Sequence, residues 1–254
     1  GFTEADLDQP FSGGSRAAVR PEACVGCGQC VEACRFGAIA FDGPGNGAIA
    51  KTCRVDPVAC EGCGVCVRVC PADAIDFAPA VNGEWFESDT RFGPMVHAEL
   101  GVAESNSGKL VSLLRKRARE VARQEGLELL LVDGSPGIGC PVVASITGAD
   151  LALIVTEPTP SGLHDLKRVA ELTGHFQVPA LLAVNKWDLN REAAGEIERV
   201  AGEVGVRPAG RVGYHPAFVE AQVAERSILE SGDGPAAEEV RSVCEAVLGH
   251  LYRG

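Results

Sequence analysis

The sequence is short of three things, and each absence removes a class of function. Basic charge is scarce: 23 Lys and Arg against 35 Asp and Glu leave a net charge of −12. That is the wrong sign for nucleic acid or an anionic membrane surface, both of which reward clustered cations. Long apolar runs are missing: stretches such as 129–132 and 151–155 fall far below the roughly 20 residues of a membrane-spanning helix. No G-x-x-x-x-G-K-[ST] phosphate loop occurs. Yet in "DGSPGIGCP" (133–141) an aspartate closes an apolar run and opens a Gly- and Pro-rich loop, as in nucleotide-hydrolysing α/β proteins. No secretory leader is visible, and a cytoplasmic location is expected. Means to fold are present, since a 46% hydrophobic content supports a buried core and argues against disorder.

What the chain has in abundance is cysteine. Of its 11 cysteines, eight lie in two runs. "CVGCGQCVEAC" holds Cys24, Cys27, Cys30 and Cys34, and "CEGCGVCVRVCP" holds Cys60, Cys63, Cys66 and Cys70. Both read C-x2-C-x2-C-x3-C. The likeness continues past the cysteines, with Ala38-Ile39 matching Ala74-Ile75 and Phe41 matching Phe77, so the segment is an internal duplication. Three thiolates two residues apart wrap a tight loop around a cubane, and the fourth is expected to start a short helix that points away and to ligate the other cluster. One [4Fe–4S] cluster is therefore assigned to Cys24, Cys27, Cys30 and Cys70, the other to Cys60, Cys63, Cys66 and Cys34. Gly26, Gly28, Gly62 and Gly64 relieve crowding where backbone approaches sulfide. Zinc is the competing reading, but zinc pairs two well-separated C-x2-C knuckles rather than two complete tandem runs. Cys53 fits neither motif and is read as structural. The stretch 20–80 resembles bacterial two-cluster ferredoxins, except that Arg35 stands where that pattern has proline; Pro71 keeps it in the second motif. A charge beside a cluster shifts its potential.

Beyond residue 80 the texture is α/β. Residues 108–126 carry Leu110, Leu113, Leu114, Ala118, Val121 and Ala122 at helical spacing, with Gly126 as a stop. A buried strand is expected at 127–132, then strands at 151–158, 180–185 and 206–213. Helices are expected at 161–175, 191–204, 216–225 and 236–250. Nearly continuous apolar strands alternating with helices predict a parallel sheet buried on both faces. Ligands of such sheets bind at the carboxyl ends of the strands, where Asp133, Glu157-Pro158 and "NKWD" (185–188) fall.

"FGPMVHAEL", "ESNSGKLV", "DGSPGIGCPV", "TEPTPSGLHDLKR" and "NKWDLN" together resemble the MinD/Mrp class of P-loop ATPases, and among them members with an inserted two-cluster ferredoxin domain. The resemblance implies a doubly wound α/β fold organised as a connecting segment (1–19), a ferredoxin-like domain (20–80) and the remainder of the ATPase domain (81–254). It also implies that the deviant phosphate loop K-G-G-x-G-K-T lies before the cluster domain, so the sequence is expected to be an N-terminal truncation. Under it, Asp133 holds magnesium or positions the attacking water, Gly134 and Gly137 let the loop approach a γ-phosphate, and Asn185 and Asp188 read the base, ATP being favoured over GTP. Lys109 meets an anion at a helix N-terminus that Asn106 or Ser107 caps. "SNSGKL" (105–110) is not itself a phosphate loop, because Leu110 replaces the magnesium-binding hydroxyl.

Cys140 lies where the nitrogenase iron protein of this class has a ligand to a shared cluster. No cysteine stands near Asn106 to complete such a site, so Cys140 is read as a core residue, as are Cys244 and, structurally, His97. The implied full-length protein binds Mg–ATP, forms a homodimer, and couples nucleotide-driven change to electron transfer or cluster handling with a redox or cluster-accepting protein partner. The alternative is an electron-transfer module whose α/β part is a docking scaffold that hydrolyses nothing. A nucleotide switch with redox-sensing clusters is a third option. Two clusters of four irons mean eight irons and eight sulfides per chain after anaerobic reconstitution, with broad absorbance near ~400 nm; stoichiometric zinc and no iron would show the ferredoxin reading to be wrong.

Overall fold

The computed structural model describes residues 7–102, 104 and 108–253. Two compact units divide between Leu130 and Leu131, well beyond the boundary expected at residue 80.

The first unit contains β1 (Leu7–Phe11), β2 (Gly14–Val19), α1 (Gln29–Ala33), β3 (Ile39–Gly43), β4 (Thr52–Val55), α2 (Val65–Val69), β5 (Ile75–Ala80), β6 (Gly83–Thr90), β7 (Gly93–Leu100) and α3 (Gly108–Glu125). The duplication read from the cysteines governs the backbone pairing. β2 precedes the first motif and pairs antiparallel with β5, which follows the second; β4 precedes the second motif and pairs antiparallel with β3, which follows the first. Registers repeat: Val19 faces Ile75 as Val55 faces Ile39, and Ala18 faces Asp76 as Arg54 faces Ala40. Each motif is thus entered by a strand that pairs with the exit strand of the other.

This corrects the expectation that 1–19 is a polar connection. Over its described residues it supplies β1 and β2, and β2 completes the internal symmetry. The strands β6 and β7 were not foreseen. They pair antiparallel around Arg91-Phe92, a two-residue loop without the usual Asn-Gly signal. The Thr90 hydroxyl donates to the Gly93 carbonyl (2.7 Å) and accepts from the Phe92 N–H (3.1 Å), and Gly93 takes the positive φ of 115°. The three-stranded sheet β1-β6-β7 is covered by α3: Phe11, Trp85 and Leu110 are buried against Val96, Ala98, Leu100, Leu113 and Leu114. Arg117 of α3 clamps Glu87 of β6 with two hydrogen bonds. The helix begins and ends where its periodicity placed it, and Gly126 at φ 68° lets the Leu127 N–H return to the Ala122 carbonyl at 2.8 Å.

The second unit contains α4 (Cys140–Ile146), β8 (Ala152–Thr156), α5 (Pro160–His175), β9 (Ala180–Asn185), α6 (Arg191–Glu203), β10 (Arg207–Val212), α7 (Ala217–Val223) and α8 (Pro235–Arg253). Its parallel sheet has the order β10-β9-β8. Side chains alternate along β9, and both sets are buried. Ala180, Leu182 and Val184 face Leu166 and Ala170 of α5 and Ala194, Ile197 and Ala201 of α6. Leu181 and Ala183 face Val243, Ala246 and Val247 of α8. This is why the strand reads as an unbroken apolar run. Thr159 caps α5 by accepting from the Gly162 N–H (3.0 Å), with Pro160 in the first turn; Asn190 caps α6 by accepting from Ala193 N–H (3.0 Å). Pro208, which has no N–H for a ladder, lies in β10 at an edge of the described sheet, beside a register shift.

The buried strand expected at 127–132 is not formed. An apolar run is fixed as a parallel strand only by a hydrogen-bonded neighbour and cover on both faces. Here it has no ladder, and Leu127, Leu129, Leu130 and Leu131 are exposed, the last at 88%. Cys244 is likewise exposed rather than core, and Val243, the residue before it on α8, is the one buried against the sheet. No described helix is long and apolar enough to cross a membrane. Leu182, 1% exposed at the centre of the core, should cost about 2–5 kcal/mol of stability when cut to alanine, read as a lowered denaturant midpoint of the helical circular-dichroism signal; an unchanged midpoint would contradict this packing.

Candidate metal centre

Both cysteine loops are built alike. In each, glycines in the first and second gaps between cysteines take left-handed backbone: Gly26 (68°) and Gly28 (75°) in the first, Gly62 (63°) and Gly64 (71°) in the second. Gly28 and Gly64 are also the N-caps of α1 and α2. The third cysteine of each motif lies inside the short helix and the fourth ends it, Cys34 and Cys70 adopting nearly the same extended conformation. The glycine requirement is therefore conformational first, since L side chains rarely reach this region. At Gly62 it is also steric, because a Cβ would stand 2.2 Å from the Ser15 carbonyl oxygen.

The thiols surround a space rather than converge on a point. Cys24, Cys27 and Cys30 of the first motif and Cys70 of the second line one cavity, closed by Val19, Val25, Ala72, Ala74, Ile75 and Cys53. This is the crossed set read from the spacing. In the second set, Cys66 lies close enough to Cys60 and Cys63 to feel their charge, and Cys34 holds the place in its motif that Cys70 holds in the other. The two exit cysteines are oriented by matching hydrogen bonds: the Ala38 N–H donates to Cys34 Sγ (3.4 Å) and the Ala74 N–H to Cys70 Sγ (3.3 Å). N–H donors aimed at sulfur are what a ligating thiolate needs. Among the described residues no three His, Cys, Asp or Glu are grouped to hold a single ion; four thiols around an apolar-walled cavity suit a cluster that carries its own sulfides. The donor set fits [4Fe–4S] chemistry, in which thiolate ligation and the surrounding hydrogen bonds set a one-electron potential.

Electrostatics agree. Burial pushes the Cys30 and Cys66 thiols above their ordinary value, the former partly offset by a hydrogen bond from Cys53. Burial, with hydrogen bonds to Cys30 and Cys24, pushes Cys53 up to about 12. Thiols such as Cys30 and Cys66 would give up their protons to iron rather than to water. Cys27 and Cys63 are exposed, so each set presents one ligand to solvent.

Two contributors escaped the sequence reading. Asn46 donates to the Pro21 (2.9 Å) and Cys24 (2.8 Å) carbonyls while its own carbonyl accepts from the Ala48 and Ile49 N–H groups, stapling the 44–50 loop to the first cysteine. The turn-like "GPGNG" around it was the available signal. Cys53, read as structural, is buried in the wall of the first cavity.

The residues expected at a nucleotide are dispersed. Lys109 belongs to the first unit, where its Nζ donates to the Gly13 carbonyl (3.2 Å). Asp133 lies exposed in a loop instead of closing a strand, because the strand before it is not formed. Gly137 has a positive φ of 87°; Gly134 has none. Asn185 ends β9, but its side-chain Oδ1 accepts from the Lys186 N–H (3.0 Å), and Asp188 accepts from the Tyr214 N–H (2.8 Å). Lys186 in turn pairs with Glu157 at the end of β8 (2.6 Å). The carboxyl edge of the sheet is thus polar and held by its own backbone. Cys140 is exposed at the start of α4 rather than in the core. His97 is hydrogen-bonded to Ser88 (3.0 Å) and stacked on Phe86 within the first unit. Asn106 and Ser107, the expected helix caps, lie outside the described residues.

Residues 23–74 match the family described as a 4Fe-4S dicluster domain; the chain is an iron–sulfur protein, with that segment joined to a parallel α/β unit. The chain matches its relatives over only part of their length. It is 35% identical over 167 residues to the uncharacterized protein MJ0578 of Methanocaldococcus jannaschii, covering 66% of this chain and 55% of that protein. It is 28% identical over 108 residues to the uncharacterized protein MJ0579 of the same organism, covering 42% of this chain and 39% of that protein. Among solved structures it is similar to the MinD cell division protein of Aquifex aeolicus (TM-score 0.48, 19% identity, 65% and 69% of the two chains). It is also similar to the MinC:MinD complex of the same organism (0.49, 21%, 65% and 67%).

If ligation is crossed, Cys70→Ser and Cys27→Ser abolish the same spectroscopic signal of the reconstituted protein, and Cys63→Ser abolishes the other. Pairing of Cys70 with Cys63 in this test would assign each motif to its own cluster.

Proposed function

We propose that this chain carries two [4Fe–4S] clusters and passes single electrons through them between protein partners, with the α/β unit serving as a docking scaffold. The observation that carries this is the cavity ringed by Cys24, Cys27, Cys30 and Cys70. Crossed ligation ties each cluster to the other's loop through one short helix, which sets two redox centres side by side. Exposed Cys27 and Cys63 give each centre its own solvent-facing edge, so one edge takes an electron in and the other gives it out. Exposed apolar side chains beside the loops, Val25, Phe36, Val58 and Val65, suit a protein partner better than a small charged donor. The chain's own residues hold the clusters, exclude water from the buried thiolates Cys30 and Cys66, and orient Cys34 and Cys70 through the Ala38 and Ala74 N–H groups.

A second reading couples the clusters to Mg–ATP in a longer homodimeric protein of which this chain is part. It is favoured by the parallel sheet with Glu157, Asn185 and Asp188 at its carboxyl edge, where nucleotide sites of such sheets form. The chain spans about half the length of MJ0578. The run of backbone donors and the lysine that bind a triphosphate are not assembled among the described residues, and losing several charge-assisted hydrogen bonds of roughly 1.5–3 kcal/mol each removes tight binding. Redox titration of the reconstituted chain separates the two readings. The first expects reversible one-electron reduction at each cluster with midpoints unmoved by Mg–ATP. Midpoints that shift at micromolar Mg–ATP would install the second, and irreversible bleaching would defeat the first.

A further inference from the structure

The internal duplication lets the two cysteine sets be compared position by position, and in burial they differ at one place. Cys27 and Cys63 are both exposed, Cys30 and Cys66 both buried, Cys34 and Cys70 both half-buried. The first cysteines are unlike: Cys24 is buried and Cys60 only half-buried. The difference has a visible cause in what stands against Cys24.

The 44–50 loop, between β3 and β4, lies over the first cysteine loop, and Asn46 spends its whole side-chain amide holding it there. Its Nδ2 donates to the Pro21 (2.9 Å) and Cys24 (2.8 Å) carbonyls, and its Oδ1 accepts from the Ala48 and Ile49 N–H groups (both 3.1 Å). The Asn46 N–H donates to the Ile49 carbonyl (3.2 Å), and the buried Thr52 hydroxyl donates to the Pro44 carbonyl (2.7 Å). So held, Ile49 reaches the cysteine loop itself: its Cδ1 stands 2.8 Å from where a Cβ on Gly26 would be, and the Phe41 ring 3.3 Å from the same point. The second half is built differently. Asn82 stands as far past Cys60 as Asn46 stands past Cys24, but its side chain accepts from the Gly13 N–H (2.8 Å) and donates to Glu104 (2.6 Å). There the chain runs on into β6 and pairs with β1 and β7. The second cysteine loop is met instead by the Ser15 carbonyl at Gly62 and the Phe77 ring at Gly64.

We propose that the 44–50 loop is a strap that makes the two clusters unequal in lability. It seals the site of Cys24, Cys27 and Cys30, and leaves the site of Cys60, Cys63 and Cys66 as the one that exchanges iron with solvent. Asn46 is the positioning residue; Ile49 and Phe41 are the apolar cover it holds in place. For iron to leave, a competing donor must reach the metal as a thiolate lets go, which requires the chain to open locally. Segments with satisfied hydrogen bonds and buried apolar contacts open least. Over the first loop the donor has to displace side chains fixed by Asn46; over the second it meets a half-buried Cys60. One cluster is resident and the other exchangeable.

The proposal rests on the two-cluster reading, which iron analysis of the wild-type chain checks separately: without the eight irons of two cubanes that reading fails before any release is measured. With them, the reconstituted chain is held anaerobically in excess EDTA while iron release and loss of absorbance are followed. Two phases are expected, each carrying half of the iron. Stopped after the fast phase, iodoacetamide should label Cys60, Cys63 and Cys66 and spare Cys24, Cys27 and Cys30. Asn46→Ala should speed the slow phase alone, by about tenfold for two lost neutral hydrogen bonds. Ile49→Ala should speed the same phase, and Phe77→Ala only the fast one. A single phase, the reverse order of labelling, or an Asn46→Ala variant that speeds both phases equally or neither overturns the proposal. Where Asn46→Ala does not hold its full iron, Ile49→Ala and the wild-type labelling order decide. An Asn46 that merely stabilised the fold would lower the melting temperature and speed both phases together.

Discussion

The first unit depends on one constraint: eight thiols, several of them buried, are drawn together where their anionic forms would repel one another. Taking one charge out of water is expensive, and a cluster of like charges more so. Iron converts that liability into the organising centre of the domain. The short helices α1 and α2, one and a half turns each, have too few residues to be stable alone. The left-handed glycines that start them are conformations few residues adopt. These pieces make sense as the lining of a metal-filled space whose ligands each bring a segment of chain with them.

Pairing follows the same logic at the level of strands. β2 with β5 and β4 with β3 cross between the repeats, so the backbone ladder binds the two cysteine loops into one topology. Such agreement between levels is what lets a small core, made largely of alanine, valine and cysteine, specify a single arrangement. The second unit obeys a different rule. It is organised around β9, whose two faces are buried by different helices.

Legibility in the sequence tracks this difference. α5, β9, α6 and β10 were readable because periodicity, Thr159 and Asn190 caps and flanking turns all act within a few residues. The dicluster segment was readable because the spacing of its cysteines is a local signal. The strands β2 and β4 were not, since four to six residues of mixed polarity become strands only by pairing with segments far along the chain. The run 127–132 misled for the opposite reason: its composition is that of a buried strand, but no ladder forms along it. Cys244 was misjudged by one helical position, because apolar residues on α8 spread over more than one face. Asp188 and Asn185 were found in the expected place at the sheet edge, but which groups their side chains would meet was not written in the motif.

The interlocked strands carry a consequence for biosynthesis. A ribosome delivers the chain from its N-terminus, and domains generally fold as units as they emerge. The first motif, complete in sequence at Cys34, lacks the partner of its entry strand until β5 is made. During that interval its cysteines are open thiols on an unfolded segment, able to take the wrong metal or to oxidise. The fold around the first cysteines is therefore completed late, by the emergence of residue 80 rather than by the appearance of those cysteines.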